Sequence, residues 1–340
     1  MFDPKYTITN KILRNIKRIA EIATHLNSRS FPKVVLVEME QRAREISAFS
    51  STSIEGNPLP LTDVKRILKN RPEHIRDSER EVLNYNKAMF EVNGLVKAKK
   101  FLCDVSLVVK IQKTITNGLI EKHRSGRIRT EPVFVNDPKT RQAVYLPPDH
   151  KDVQKLLKEL FKYLEKNSQT IDPLILAGIF HKQLVIIHPF VDGNGRTARL
   201  ATKALLAKMG LDTFDLFSFE NYYNENVSKY FTQVGLFGNY YDLHHKVDFT
   251  LWLEYFTDGI IDELLRVKKE LEREVISPDI KEHHKIILEH IKEKGYIADR
   301  DYATLTKRAK PTRNLDFNKL IDLGLIVKIG KGKATYYKLK

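Results

Sequence analysis

Apolar residues recur at helical spacing through most of this 340-residue chain, and strand-like stretches are few and short. From Thr9 to His25, residues Ile12, Leu13, Ile16, Ile19 and Ile22 share one face, with basic residues opposite. Similar patterning predicts helices over 34–48, 77–96, 105–121, 151–165, 174–184, 196–209, 219–234 and 249–275. Polar Ser50-Ser51-Thr52-Ser53 and the turn Gly56-Asn57-Pro58 break the pattern after the second helix. Between 126 and 149 the character changes. Pro132-Val133-Phe134-Val135, then Asn136-Asp137-Pro138, then Ala143-Val144-Tyr145-Leu146 read as two strands about a turn, closed by Pro147-Pro148. A charged run from Arg266 leads into Ser277-Pro278, where a domain boundary is expected. Beyond it, helices are expected over 284–294, 303–309 and 313–323, with Leu315, Phe317, Leu320 and Ile321 in the core. A hairpin from Leu325-Ile326-Val327 to Thr335-Tyr336-Tyr337 follows. The expectation is a mainly α protein in three parts: an N-terminal helical region (1–100), a helical core (101–275) and a small C-terminal domain (281–340).

Composition narrows the class. The chain is 42% hydrophobic and 30% charged, enough to bury a full core and keep a polar surface. No run approaches about 18 uninterrupted apolar residues, the length of a membrane span, and the most apolar one, Phe249 to Phe256, contains Glu254. The start, Met-Phe-Asp-Pro-Lys, lacks the basic-then-apolar layout of a secretion signal, so the cytoplasm is the default expectation and no membrane partner is expected. The single cysteine, Cys103, rules out internal disulfides and multi-thiolate metal sites, and its apolar neighbours suggest a small buried side chain. The net charge is +15, and residues 281–340 carry fifteen Lys and Arg against seven acids. That domain suits nucleic acid or an acidic partner, or is merely soluble. The pairs His244-His245 and His283-His284 show no metal-ligand spacing.

The chemistry concentrates in residues 188–199, His-Pro-Phe-Val-Asp-Gly-Asn-Gly-Arg-Thr-Ala-Arg. Gly193 and Gly195 allow a tight turn in which backbone N–H groups approach an anion. The helix expected next points its positive end at the same place. Arg196 and Arg199, three apart, share a face of that helix. With Asp192 as an acid for Mg²⁺ and His188 as a base, the segment reads as a polyphosphate cradle. A Walker A loop is excluded, since no lysine follows the second glycine. Gly193 to Ala198 fits a loose dinucleotide fingerprint, with Asp212 near the distance of a ribose contact, but the chain lacks the alternating strands and helices of a parallel sheet.

This segment also resembles the signature of the Fic family, His-Pro-Phe-x-(Asp/Glu)-Gly-Asn-Gly-Arg-x-x-Arg, and matches it at every fixed position. The resemblance implies a Fic-type helical core with a β-hairpin flap. It implies transfer of AMP from ATP to a Ser, Thr or Tyr hydroxyl of a target protein or of the chain itself. His188 would be the general base and Asp192 would hold Mg²⁺. Asn194 and the amides of Gly193 and Gly195 would take the α-phosphate, Arg196 the β-phosphate and Arg199 the γ-phosphate. Asn-Gly-Arg, where the kinase-like Doc relatives carry Asn-Lys-Arg, favours AMP transfer. The hairpin is similar to the flap that docks a target segment by strand addition, through Val133, Phe134, Val135 and Tyr145. Ser51 to Gly56 resembles the family's inhibitory pattern, (Ser/Thr)-x-x-x-Glu-(Gly/Asn), which implies that Glu55, with Ser51, occupies Arg199. The C-terminal domain resembles a winged helix-turn-helix, with 313–323 in the recognition position. Lys307, Arg308, Lys310, Arg313, Lys331 and Lys333 would then face DNA phosphates, unless the domain docks protein instead. An alternative is a DNA-binding regulator that uses the core as an ATP-dependent switch. Either reading is compatible with an oligomer.

Overall fold

In the computed structural model, residues 2–28, 33–98, 100–136, 142–208, 217–276, 281–330 and 332–339 are described. Met209, Asp212, the pair Asp137-Pro138, the boundary pair Ser277-Pro278 and Lys331 lie outside them, as does the side chain of Lys333. Contacts divide the chain into two compact units. One comprises residues 1–28 and 42–265, the other 29–41 and 266–340.

The first unit begins with α1 (Asn10–Asn27), whose N-cap Thr9 accepts the Ile12 amide. Then come α2 (Lys33–Ile54), in this unit from Arg42 on, α3 (Leu61–Lys69), α4 (Asp77–Lys97) and α5 (Val105–Ile115). The hairpin strands β1 (Val135–Asn136) and β2 (Ala143–Leu146) precede α6 (His150–Asn167), α7 (Pro173–Ile187) and α8 (Asn194–Lys208). The short helices α9 (Glu220–Glu225) and α10 (Val227–Val234) lead to β3 (Gly238–Asn239), α11 (Tyr240–Leu243) and the long α12 (Thr250–Ile276), in this unit as far as Leu265. Helix α7 is the axis of this unit. Every residue after Pro173 except Val185 is buried. Helices α6 and α8 pack on it, and α4 and α5 pack on α8. Trp252 of α12 closes another side, donating Nε1–H to the Gly178 carbonyl at 2.7 Å. Helix α1 is tied to α12 by polar contacts, among them Asn15 Nδ2 to Asp258 Oδ1 at 2.8 Å and Lys11 Nζ to Asp258 Oδ2 at 2.6 Å.

The departures from the expected elements have local causes. Helix α3 follows Pro60, which pre-sets the backbone at its N-cap, in a segment too short for periodicity to reveal. The helix expected over 105–121 stops at Ile115, where the Thr116 hydroxyl turns back to the Gln112 carbonyl at 2.9 Å. Asn226 splits the helix expected over 219–234 and caps its second half by accepting the Lys229 amide. Strand β1 is shorter than expected and leaves Val133 and Phe134 outside it. Strand β3, not expected at all, pairs parallel to β2, with Tyr145 opposite Gly238. Cys103 is half-buried rather than enclosed.

The second unit contains α13 (Glu282–Lys294), α14 (Asp299–Leu305), α15 (Lys310–Asp322) and the antiparallel pair β4 (Ile326–Ile329) and β5 (Tyr336–Leu339). Ile297 bridges to Tyr337 by two backbone hydrogen bonds, extending this pair. The core holds Ile287, Ile291, Ile297, Tyr302, Phe317, Leu320, Ile326 and Tyr337, with Phe317 stacked on Tyr337 at 4.0 Å. Helix α14 starts four residues before the expected one, because the Asp301 carboxylate accepts the Ala298 amide and starts the first turn there. Leu315, expected in the core, is 66% exposed. Buried Asp316 instead gathers Tyr302 Oη at 2.9 Å and Arg308 Nε at 2.8 Å. Among the described residues, no helix is long and apolar enough to cross a membrane.

Candidate active site

The site forms where α7 ends and α8 begins. His188 caps α7 with φ 50° and ψ 60°, the only non-glycine residue at positive φ among those described. An L-residue held there stores strain, which persists only when its surroundings enforce it. Arg129 does so. Its Nε donates to the His188 carbonyl at 2.8 Å, its own amide to the Pro189 carbonyl at 2.9 Å, and Nη1 to the Glu131 carbonyl at 3.1 Å. The same guanidinium reaches the Pro148 carbonyl, so it joins the motif loop to both flanks of the hairpin. Nδ1 of His188 faces the Val185 carbonyl at 3.3 Å. Burial pushes the imidazole down to about 4 from an ordinary 6.5, against the raising effect of the Val185 contact, while Arg129 adds to the depression. The ring is therefore neutral near pH 7 and able to accept a proton.

Within the loop, Asn194 accepts the Phe190 amide at 2.9 Å and donates to the Phe190 carbonyl at 2.8 Å. Both polar ends of this side chain brace the turn, so an anion would meet main-chain amides rather than the Asn194 carboxamide. Gly193 sits at φ +80°, where a Cβ is strained, and its amide donates to Asp192 Oδ1 at 2.6 Å. Gln112 holds the loop from α5, donating to the Asp192 carbonyl at 3.1 Å and accepting the Gly126 amide at 2.6 Å.

The two arginines of the first turns of α8 are both engaged. Arg196 places Nη2 at 3.0 and 3.1 Å from the Asp192 carboxylate oxygens and Nη1 at 2.5 Å from Glu81 Oε1. Arg199 is fully buried. It donates Nε to Ser51 Oγ at 2.9 Å, and Nη2 to the Ser51 carbonyl at 2.8 Å and to Glu55 Oε1 at 2.7 Å. Its guanidinium lies 5.9 Å from the Tyr230 ring centre. Gly195 faces this pair so closely that a Cβ would fall on the Glu55 carboxylate and lie 2.9 Å from Arg199 Nη1.

Residues 102–206 match the model of the Fic/DOC family. This segment is similar to a Fic domain. A protein adenylyltransferase Fic from Nematostella vectensis is 32% identical over 173 residues, covering 48% of this chain and 37% of its own. A protein adenylyltransferase fic-1 from Caenorhabditis elegans is 31% identical over 215 residues, covering 60% of this chain and 39% of its own. The chain thus spans under two fifths of the length of these curated relatives. The crystal structure of a Fic family protein from Desulfovibrio desulfuricans G20 aligns with a TM-score of 0.65 at 22% identity, covering 100% of this chain and 98% of that one. A Fic-1 structure from Caenorhabditis elegans aligns at a TM-score of 0.60 and 20% identity, over 77% and 73% of the two chains.

The fold sets two groups of ion pairs at the start of α8, Glu81–Arg196–Asp192 and Arg199–Glu55, with His188 at the mouth of the same loop. The flap residues behave differently from one another. Phe134 is 61% exposed, while Val133 and Val135 are half-buried. Tyr145, expected to dock a target, points inward. It is 4% exposed and donates its hydroxyl to the Ile186 carbonyl at 3.0 Å, so it fastens β2 to α7. Side-chain alternation along β2 puts it on the covered face. Glu81, Arg129, Gln112, Asn57 and Tyr230 complete the site without any local sequence signal. In the second unit, Arg308 and Arg313, expected at DNA phosphates, are paired with Asp316 and Asp299 respectively.

Proposed function

We propose that the Fic domain is a protein adenylyltransferase, moving AMP from ATP to a Ser, Thr or Tyr hydroxyl of a target protein or of this chain. The observation that carries this reading is the arrangement at the helix junction. A neutral imidazole stands at the end of α7, and two guanidiniums and the N-terminus of a helix stand at the start of α8. The names of the curated relatives weigh for the transferase over the regulatory switch without turnover.

His188 takes the proton of the acceptor hydroxyl as its oxygen bonds to the α-phosphorus. The bond from that phosphorus to the bridging oxygen breaks, and pyrophosphate leaves with the electron pair. The backbone amides of the loop face the α-phosphate, Arg196 the β-phosphate and Arg199 the γ-phosphate, since a guanidinium fork suits phosphate oxygens. Asp192 offers a single hard carboxylate with a 45% exposed side chain, which fits Mg²⁺ completed by phosphate oxygens and water. Bound there, Mg²⁺ supplies charge neutralisation of the phosphates. Glu55 restrains the site, because Arg199 cannot serve that carboxylate and a γ-phosphate together. The free edge of β1 in the order β1-β2-β3 suits target docking by strand addition, beside exposed Phe134.

For the second unit we favour a winged-helix reading, supported by three helices followed by an antiparallel pair. With Arg308 and Arg313 tied up internally, exposed Lys307, Lys310, Lys328 and Lys338 are its candidates for DNA phosphates.

Incubation with Mg²⁺ and ATP labelled at the α- or γ-phosphate tests the transferase reading. Covalent α-label is expected, stronger in Glu55→Gly than in wild type and absent in His188→Ala. Label from the γ-position would make the protein a kinase. Absence of label in Glu55→Gly, with candidate targets present, would count against transfer.

A further inference from the structure

Arg196 is gripped by two carboxylates of unlike character. Glu81, on α4, has a side chain 16% exposed and forms an ion pair with Nη1 at 2.5 Å, off the line of a hydrogen bond. Asp192, on the motif loop, is 45% exposed and meets Nη2 at 3.0 Å. Glu81 is itself held. Its second oxygen accepts Asn57 Nδ2 at 2.7 Å, and that amide also reaches the Ser78 carbonyl at 2.9 Å. Asn57 follows Glu55 by two residues, so the anchor is continuous with the end of α2. One end of the Arg196 fork is thus fixed in a sheltered place, while the other rests on a wetter carboxylate that water and ligands can reach.

We propose that Glu81 is a positioning residue of the nucleotide site. It holds Arg196 through Nη1 so that Nη2 can leave Asp192 and meet a phosphate oxygen of ATP without the side chain being reoriented. This rests on the nucleotide-binding part of the function proposed above. The physical gain is entropic. An arginine side chain arrested only on ligand binding gives up its rotamer freedom at that moment, whereas here Glu81 has already arrested it. The expected effect of releasing Glu81 is a loss of ATP affinity of about tenfold.

Charge alone predicts the opposite sign, because an acid beside a polyphosphate repels it. The test exploits this in the Glu55→Gly background, with ATP and Mg²⁺ titrated calorimetrically. Glu81→Gln keeps an acceptor at full reach and removes the charge. Glu81→Asp keeps the charge and withdraws it by one methylene. The proposal expects Glu81→Asp to weaken ATP binding about tenfold and Glu81→Gln to stay near the parent. It also expects Glu81→Asp to have no further effect once Arg196→Ala is present, which a merely structural role would not produce. Tighter binding in Glu81→Gln with unchanged binding in Glu81→Asp overturns it in favour of charge repulsion. A Glu81→Asp loss that persists in Arg196→Ala overturns it in favour of general structural damage. If Glu55→Gly itself binds no ATP, the nucleotide reading falls and this proposal with it, an outcome distinct from normal binding insensitive to Glu81.

Discussion

Replacing Glu55 by glutamine should move stability and nucleotide affinity in opposite directions. Arg199 is fully buried, and Glu55 is the one carboxylate bonded to it among the described residues. The bonds to Ser51 Oγ and to the Ser51 carbonyl remain in the variant but carry no charge. Stripping the partner from a buried ion pair costs about 3–5 kcal/mol. Glu55 is 28% exposed and glutamine keeps an acceptor, so the lower range for a charged hydrogen bond, about 1.5–3 kcal/mol, applies here. For a unit of this size that lowers the melting temperature by roughly 3–12 °C in the absence of nucleotide. The same free energy opposes ATP in the wild type, so its removal tightens ATP binding by roughly 10- to 150-fold. Thermal melting with and without Mg²⁺-ATP reads both effects on one sample. A variant that melts lower alone and is stabilised more by ATP than wild type supports the account. A variant that melts lower and gains nothing from ATP would show that Glu55 is structural.

Three further outcomes follow from the geometry. His188 is held down to about 4, so its neutral form is lost only as pH falls through that value; kcat/KM of the Glu55→Gly protein should show no limb from this residue between pH 5 and 8, and a limb centred near 6.5 would refute its enclosure. Gly195→Ala drives a methyl into the Glu55–Arg199 pair, so it should destabilise wild type by about 1–3 kcal/mol and Glu55→Gly by less, measured as a double-mutant cycle in urea. Asp316→Ala strands Arg308 and the Tyr302 hydroxyl, and loss of this buried partner should cost about 3–5 kcal/mol, seen as faster hydrogen exchange across α13 to α15.

The division between what the sequence reveals and what only the fold reveals follows the spacing of the residues. Residues 188–199 are contiguous, so a base, an acid, two turn glycines and two arginines can be read as one device. Helical periodicity likewise exposes α1, α4, α6 and α7, which are long and bury one face or all of themselves. Elements of nine residues or fewer, such as α3, α11 and β3, carry too little pattern to be seen. Glu81 and Arg129 escape for another reason. Each meets the motif across more than fifty residues of chain, and a glutamate on an amphipathic helix or an arginine in a loop ordinarily faces water. Tyr145 shows the converse limit. Its place on a two-sided hairpin admits either face, and only the bond to the Ile186 carbonyl decides that it faces inward. In the second unit, basic composition points to phosphate contacts, but Asp299 and Asp316 take up two of the arginines.

The central claim is that Arg199 is shared between Glu55 and the terminal phosphate of ATP. Calorimetric titration of wild type and Glu55→Gly with ATP, ADP and AMP, each with Mg²⁺, tests it most directly. The account predicts that Glu55→Gly tightens ATP binding by an order of magnitude or more while changing ADP and AMP little, since neither carries the γ-phosphate that Arg199 would take. An equal gain for all three nucleotides would contradict it, and would make Glu55 a general electrostatic barrier rather than a competitor for one arginine.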